Sequence, residues 1–249
     1  MASKFEIFAA LHVPGNPVVL YNVWDVGSAL AVSAAGAKAL ATGSHPVADA
    51  NGWPDGQHVP IDFALANAKR IVDAVELPVT IDFEGAYSTD PDEGGRNIAR
   101  LAHTGAVGCN FEDQVVGGEG LHSLTLQCSR IEAIRNAVGD RFFINARTDM
   151  FLKAPRAEHD EAMADAAIER AKGFADSGAS GLFVPGLINL KLLKRVCEAS
   201  PLPVNAIAAP GGPTKFEYES AGVARISHGP FPHRALMRQF EEMARAAIA

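Results

Sequence analysis

Eight short strand-like runs recur along the chain, each followed by enough sequence for one helix: Val18–Asn22, Ala39–Gly43, Val79–Glu84, Gly108–Glu112, Phe142–Arg147, Gly181–Val184, Val204–Ala208 and Ala224–His228. Between them lie Ser28–Ala35, Phe63–Val75, Gly94–Thr104, Ser129–Val138, Glu161–Ser177, Leu190–Ala199 and Thr214–Ala221, with apolar residues at helical spacing. Gly36, Gly105, Gly139, Gly178 and Gly222 follow helical stretches, where a left-handed C-cap is expected. Regular strand–helix alternation with connections of this length means parallel strands. Eight such units in 249 residues predict an α/β fold, a single (β/α)8 TIM-type barrel over residues 1–249, with its active site at the C-terminal strand ends. The 48% hydrophobic content supplies a core for one large domain. Phe231–Ala249, after the turn Pro230-Phe231-Pro232, is expected to form a terminal helix that packs on a neighbouring subunit.

A net charge of −7 provides no basic stripe for nucleic acid and no polybasic patch for a membrane, so the expected partner is a small molecule. Cys109, Cys128 and Cys197 are odd in number and far apart, which suggests neither a disulfide framework nor a cysteine-rich zinc site. The N-terminal residues lack a basic region followed by a long apolar run, and a cytoplasmic location is the expectation.

Acidic residues gather where three runs end: Asp82-Phe83-Glu84, Asn110-Phe111-Glu112-Asp113 and Asn145-Ala146-Arg147-Thr148-Asp149. Alternation along a strand puts Asp82 with Glu84, Asn110 with Glu112, and Asn145 with Arg147 and Asp149 on shared faces. The pattern reads as a divalent-metal pocket with one cation beside it, in which Asp149 serves the site or only orients Arg147.

Six segments in order, Asn22-Val23-Trp24-Asp25-Val26-Gly27-Ser28-Ala29, Ala39-Leu40-Ala41-Thr42-Gly43-Ser44, Trp53-Pro54-Asp55-Gly56, Asp82-Phe83-Glu84-Gly85, Asn110-Phe111-Glu112-Asp113-Gln114 and Asn145-Ala146-Arg147-Thr148-Asp149, resemble the isocitrate lyase and phosphoenolpyruvate mutase superfamily. The resemblance implies a barrel whose last helix is exchanged between subunits of a homodimer or homotetramer. It also implies Mg²⁺-dependent making or breaking of C–C or P–C bonds beside a 2-oxo or 2-hydroxy carboxylate. Carried over, it makes Asp82 the main metal ligand, with Glu84 and Glu112 holding metal-bound waters and Asp55 adding charge behind them. An oxygen-only set suits Mg²⁺, or Mn²⁺ in its place.

Thr42-Gly43-Ser44-His45 reads as a cradle for the substrate carboxylate, since small residues let backbone amides approach and Ser44 adds a hydroxyl. Arg147 has the donor fork to bind a carboxylate or a developing enolate. Asn110 and Asn205 join the substrate-binding candidates. Tyr21 and Trp24 either shape the pocket or fill core, and His45 either lines it or is solvated. Pro210-Gly211-Gly212-Pro213 is better read as a tight turn than as a phosphate cradle, because prolines lack donors.

The loop Val115-Val116-Gly117-Gly118-Glu119-Gly120-Leu121-His122-Ser123 departs from the family pattern. It lacks the Lys-Lys-Cys-Gly-His of methylisocitrate and isocitrate lyases and the Lys and Asn of phosphonate enzymes. Phe183-Val184-Pro185-Gly186 lacks the Glu that the methylisocitrate enzymes carry. Glu119, His122 or Ser123 is then expected to supply a proton from a loop able to close. The resulting expectation is a Mg²⁺-dependent lyase or decarboxylase of a small 2-oxo or 2-hydroxy di- or tricarboxylate through an enolate, with Arg147, Glu112, His122 and Ser123 as catalytic candidates. A P–C bond enzyme of the phosphonopyruvate hydrolase or phosphomutase type, or a catalytically weak 2-oxo-acid-binding barrel, is the alternative.

Overall fold

Each of the eight runs forms a strand, and every ladder is parallel. The computed structural model describes residues 2–249. Its strands are β1 (Val18–Leu20), β2 (Leu40–Ala41), β3 (Val79–Asp82), β4 (Gly108–Glu112), β5 (Phe143–Arg147), β6 (Gly181–Phe183), β7 (Val204–Ile207) and β8 (Arg225–Ser227). They pair in sequence order from β2 to β8, and β8 pairs with β1. The ring closes between β1 and β2 through the parallel bridge Val23↔Thr42, where Val23 N donates to Ala41 O at 2.9 Å. Buried Asn22 ties this seam: its Nδ2 donates to Thr42 O (2.7 Å), and its Oδ1 accepts from the His228 and Gly229 amides (2.8 Å each). One side-chain amide thereby satisfies backbone groups from two other strand ends.

Strands end one or two residues before several of the sequence runs do, because the mouth residues turn into loops. The clearest case is Glu84, whose φ of 51° is left-handed and ends the β3 direction. All five predicted C-cap glycines have left-handed φ, from 68° at Gly139 to 95° at Gly178. Three helices were absent from the periodicity reading. Lys4–Ala10, opened by a Ser3/Glu6 capping box, lies under the barrel's N-terminal end, where Phe8 packs with Val18, Leu20, Ala39, Ala41, Val107 and Phe143. Ser44–Asp49 follows β2 and Met150–Lys153 follows β5, each too short to show an amphipathic period.

The terminal helix, Phe231–Ile248, buries only Pro232 and His233. Leu236, Met237, Phe240, Met243 and Ile248 remain exposed on it. Among the described residues no helix is long and apolar enough to cross a membrane.

Candidate active site at the C-terminal mouth

Strand register decides which side chains meet. Asp82 pairs with Asn110, and one rung higher Glu112 pairs with Arg147. Asp82, Asn110 and Arg147 therefore reach the same cavity of about 230 Å³, together with Asn22, Gly43, Ser44, His45, Asp55 and Ser227. Asp82 is half committed. Its Oδ2 accepts from the Ser44 amide at 3.1 Å, while Oδ1 is buried without a protein partner. A buried carboxylate oxygen left unpaired is costly unless a cation, a ligand or water completes it.

Arg147 stands between two carboxylates. Nη1 pairs with Glu112 Oε2 at 2.9 Å and Nε with Asp149 Oδ1 at 2.7 Å. Burial alone would lower the Arg147 pKa, but Glu112, Asp149 and Asp82 overcome it and raise it. The Phe183 ring packs under the guanidinium carbon at 5.9 Å, so the fork is fixed from below as well. Asp149, whose amide donates to Asp113 Oδ1 (2.9 Å), thus orients Arg147. Asp113 is itself held by Arg170 at 2.9 Å.

The remaining acids are mostly spent on protein groups. Glu84 Oε1 accepts from the Gly56 and Gln57 amides at 3.0 and 2.8 Å, which turns that carboxylate toward the 55–57 loop. Burial, then the Asp82 charge, pushes its pKa up to about 8. Glu112 is raised by burial with Arg147 opposing, and Gln114 donates to its second oxygen. The three carboxylates assigned to metal do not form a direct cage: among the described residues no three His, Cys, Asp or Glu side chains gather tightly enough to hold an ion. The arrangement fits an ion bound through few protein oxygens and several waters, with Asp82 Oδ1 as the free ligand and Asp55 beside it in the cavity.

Several expected participants lie elsewhere. Ser123 caps the helix Leu124–Val138, its Oγ accepting from the Leu126 amide at 3.2 Å. His122 is buried outside the cavity wall, and its carbonyl accepts from Arg170. Neither lines the cavity in this structure, and the 115–121 loop is bridged at its base by Gln114↔Leu121. Glu119 is exposed on that loop. Tyr21 is also displaced: it is 45% exposed and packs on His228 rather than facing the cavity. Trp24 is core, edge-on to His233 at 4.7 Å. Asn205 lies beneath the floor, bonded to Ser227 Oγ at 3.2 Å.

Arg225 went unassigned in the sequence and proves central. It is fully buried inside the barrel, on β8 opposite β4. Its Nη2 donates to Asn110 Oδ1 and its Nε to Ser227 Oγ, both at 3.2 Å. Asn110 Oδ1 also accepts from Asn145 Nδ2 at 2.9 Å, so its Nδ2 is the end left for a ligand. Burial lowers Arg225 to about 9, with Asp82 opposing. The available signal was a charged residue inside the last strand run, two positions before Ser227 and hence on the same inward face.

Comparison with known proteins agrees with this geometry. The family model for phosphoenolpyruvate phosphomutase matches residues 8–248. A crystal structure of a phosphonomutase candidate from Burkholderia cenocepacia J2315 superposes with a TM-score of 0.95 at 44% identity, covering 98% of both chains. An uncharacterised Mycobacterium tuberculosis protein is 34% identical over 96% of this chain and 88% of its own length. The 2-methylisocitrate lyase of Salmonella typhimurium is 27% identical over 97% of this chain and 83% of its own.

Proposed function

The chain belongs to the phosphoenolpyruvate phosphomutase family, and from that membership and the mouth geometry we propose that it is a Mg²⁺-dependent lyase or decarboxylase acting on a small 2-oxo or 2-hydroxy acid. One observation carries the reading: Asp82, Asn110 and Arg147 from adjacent strands line one small cavity, and Asp82 keeps an unpartnered buried oxygen in that site. Asp82 would hold Mg²⁺ with the help of waters, and Asp55, Glu84 and Glu112 would add negative charge around them. The ion would supply Lewis-acid polarisation of the substrate oxygens when bound.

The chain's own residues do the rest. The His45 amide and the Ser44 hydroxyl bind the substrate carboxylate, the Gly43 and Ser44 amides being already given to Val23 O (3.2 Å) and Asp82 Oδ2 (3.1 Å). Arg147, already aligned by Glu112 and Asp149, presents its remaining Nη2 to the oxygen that gains charge as an enolate forms, which lowers the barrier more than it tightens ground-state binding. Asn110, its carbonyl oxygen occupied, can only donate there. C–C cleavage is favoured over P–C chemistry because Arg147 is, among the described residues, the only Lys or Arg lining the cavity and two carboxylates already engage it. A phosphonate dianion calls for more positive charge than that.

The same reading includes self-association, with the exposed apolar face of Phe231–Ile248 lying in another copy's groove beside Val18, Val19, Ala31 and Val32. Light scattering would then give a dimer or tetramer, and Phe240→Glu a smaller species. The test of activity is NMR of the protein with Mg²⁺ and a panel of 4-hydroxy-2-oxopentanoate, oxaloacetate, substituted malates, methylisocitrate and phosphonopyruvate, beside an EDTA control. Mg²⁺-dependent C–C cleavage of one member is the expected outcome. Turnover of phosphonopyruvate alone would overturn the lyase reading.

A further inference from the structure

Polar and apolar residues divide around the cavity by strand number. β1 to β5 and the loops after β1 and β2 contribute Asn22, Ser44, His45, Asp82, Asn110 and Arg147. The opposite arc carries Phe183 at the end of β6, Pro185 after it, Ile207 at the end of β7 and Phe231 after β8; its one polar side chain, Ser227 at the end of β8 beside β1, is engaged by Arg225 and Asn205. Leu152, from the short helix after β5, adjoins that arc at the rim and is 53% exposed. Strands neighbouring in sequence are neighbours in the ring, so the division by number is a division in space. The cavity is thus built with one polar side and one apolar side.

We propose that the ligand of this site carries a single anionic 2-oxo or 2-hydroxy carboxylate head and a short uncharged aliphatic tail, the tail lying against Ile207, Pro185, Phe231 and Leu152. The assignment rests on the 2-oxo acid reading above and narrows it from di- and tricarboxylates to monocarboxylates. Charge supports it. No Lys or Arg belongs to the apolar arc, and Asp55 adds negative charge to the mouth. Arg234, on the terminal helix, donates from Nη2 to His45 Nε2 at 2.8 Å, which ties its charge to the polar side of the mouth. A second carboxylate on the ligand would be desolvated against these side chains without a counter-charge, which a site tolerates poorly. Size supports it as well: about 230 Å³ is below the range of about 300–1,000 Å³ usual for drug-sized ligands and suits a small acid.

The test is calorimetric binding to the intact protein in Mg²⁺, using three probes: oxalate as a head without a tail, 4-methyl-2-oxopentanoate as a head with an apolar tail, and 2-oxoglutarate as a head with a charged tail of similar length. The expected result is at least tenfold tighter binding of 4-methyl-2-oxopentanoate than of 2-oxoglutarate. Equal or tighter binding of 2-oxoglutarate, with oxalate bound, overturns the tail assignment and leaves the head reading standing. Failure of all three to bind overturns the head reading, and the tail assignment with it. Leu152→Lys, at an exposed rim position that spares the fold, is expected to narrow or reverse the preference by placing an ammonium beside the tail. An unchanged preference in that variant, with an unchanged melting temperature, also overturns the assignment.

Discussion

At the N-terminal end of the barrel Phe8, His12 and Phe143 stack with ring centroids 4.2–5.3 Å apart and close the bore with apolar contacts. At the C-terminal end Asp82, Glu112, Arg147 and Asp149 crowd together, and Asp82 and Asp149 each keep a buried oxygen without a partner. Both ends hang from the same eight strands, but a (β/α)8 barrel separates stability below from chemistry above. Arg225 lies between the two, under Asn110 and Ser227, and its charge acts on His12. Backbone strain follows the same division: Gln57, Glu84, Ala86 and Tyr87, the non-glycine residues with left-handed φ, cluster in two loops at the mouth, where Gln57 Oε1 accepts from Tyr87 N at 2.5 Å.

The contrast predicts opposite responses to mutation. Asp82→Ala should lower kcat by about 10³-fold or more, about 4 kcal/mol of transition-state stabilisation, and weaken Mg²⁺ binding, without lowering the melting temperature, because it removes a buried like charge beside Glu84. Steady-state kinetics and Mg²⁺ titration check both; retained turnover with unchanged Mg²⁺ affinity would remove Asp82 from the site. Phe8→Ala should do the reverse, costing about 3–5 kcal/mol of stability through the cavity it leaves while kcat at saturating substrate stays near wild type. Urea unfolding and the same assay measure that pair of effects, and a large loss of kcat in the folded variant would show that the ends are coupled.

Arg147→Lys sharpens the comparison within the mouth. Lysine keeps the charge but cannot pair with Glu112 and Asp149 and still present a free N–H in a fixed plane, so kcat/KM should fall about 100-fold, about 3 kcal/mol. An equal loss with unchanged kcat and raised KM would instead assign Arg147 to uniform substrate binding.

The barrel was legible because strand–helix alternation is a local signal that repeats around the ring with the same sense, and five C-cap glycines mark its joints. The positions of Asp82, Asn110 and Arg147 followed from strand ends and parity for the same reason. Less legible were residues just past a strand end, where parity stops governing direction. Glu84 turns away through a left-handed φ, and Tyr21, one residue beyond β1, turns outward. Ser123 was open to a plainer reading, a helix cap ahead of Leu124-Thr125-Leu126, that local chemistry explains without catalysis. The Ser3-Lys4-Phe5-Glu6 capping box likewise announced the plug helix, but one short helix has no period to detect. Arg225 required the third dimension: its partner Asn110 is 115 residues away across the bore.

His12 gives the smallest effect and isolates the closed end. Its Nδ1 donates to Phe8 O at 2.9 Å, Nε2 is buried without a partner, and burial, with Arg225 adding to it, lowers the pKa from 6.5 to about 3. The folded protein therefore keeps His12 neutral where the unfolded chain takes up a proton. Its contribution to stability is complete above pH 6.5 and is lost as pH falls from 6.5 toward 3, at up to about 1.4 kcal/mol per pH unit. Between pH 7 and pH 5 the loss from this residue is about 2 kcal/mol. His12→Gln retains a donor for Phe8 O and removes the titration, so its unfolding free energy should fall by about 2 kcal/mol less over that interval than that of the wild type. Urea unfolding at the two pH values measures the difference, and identical slopes would mean that His12 is protonated in the folded barrel and that the bottom is less dry than the top.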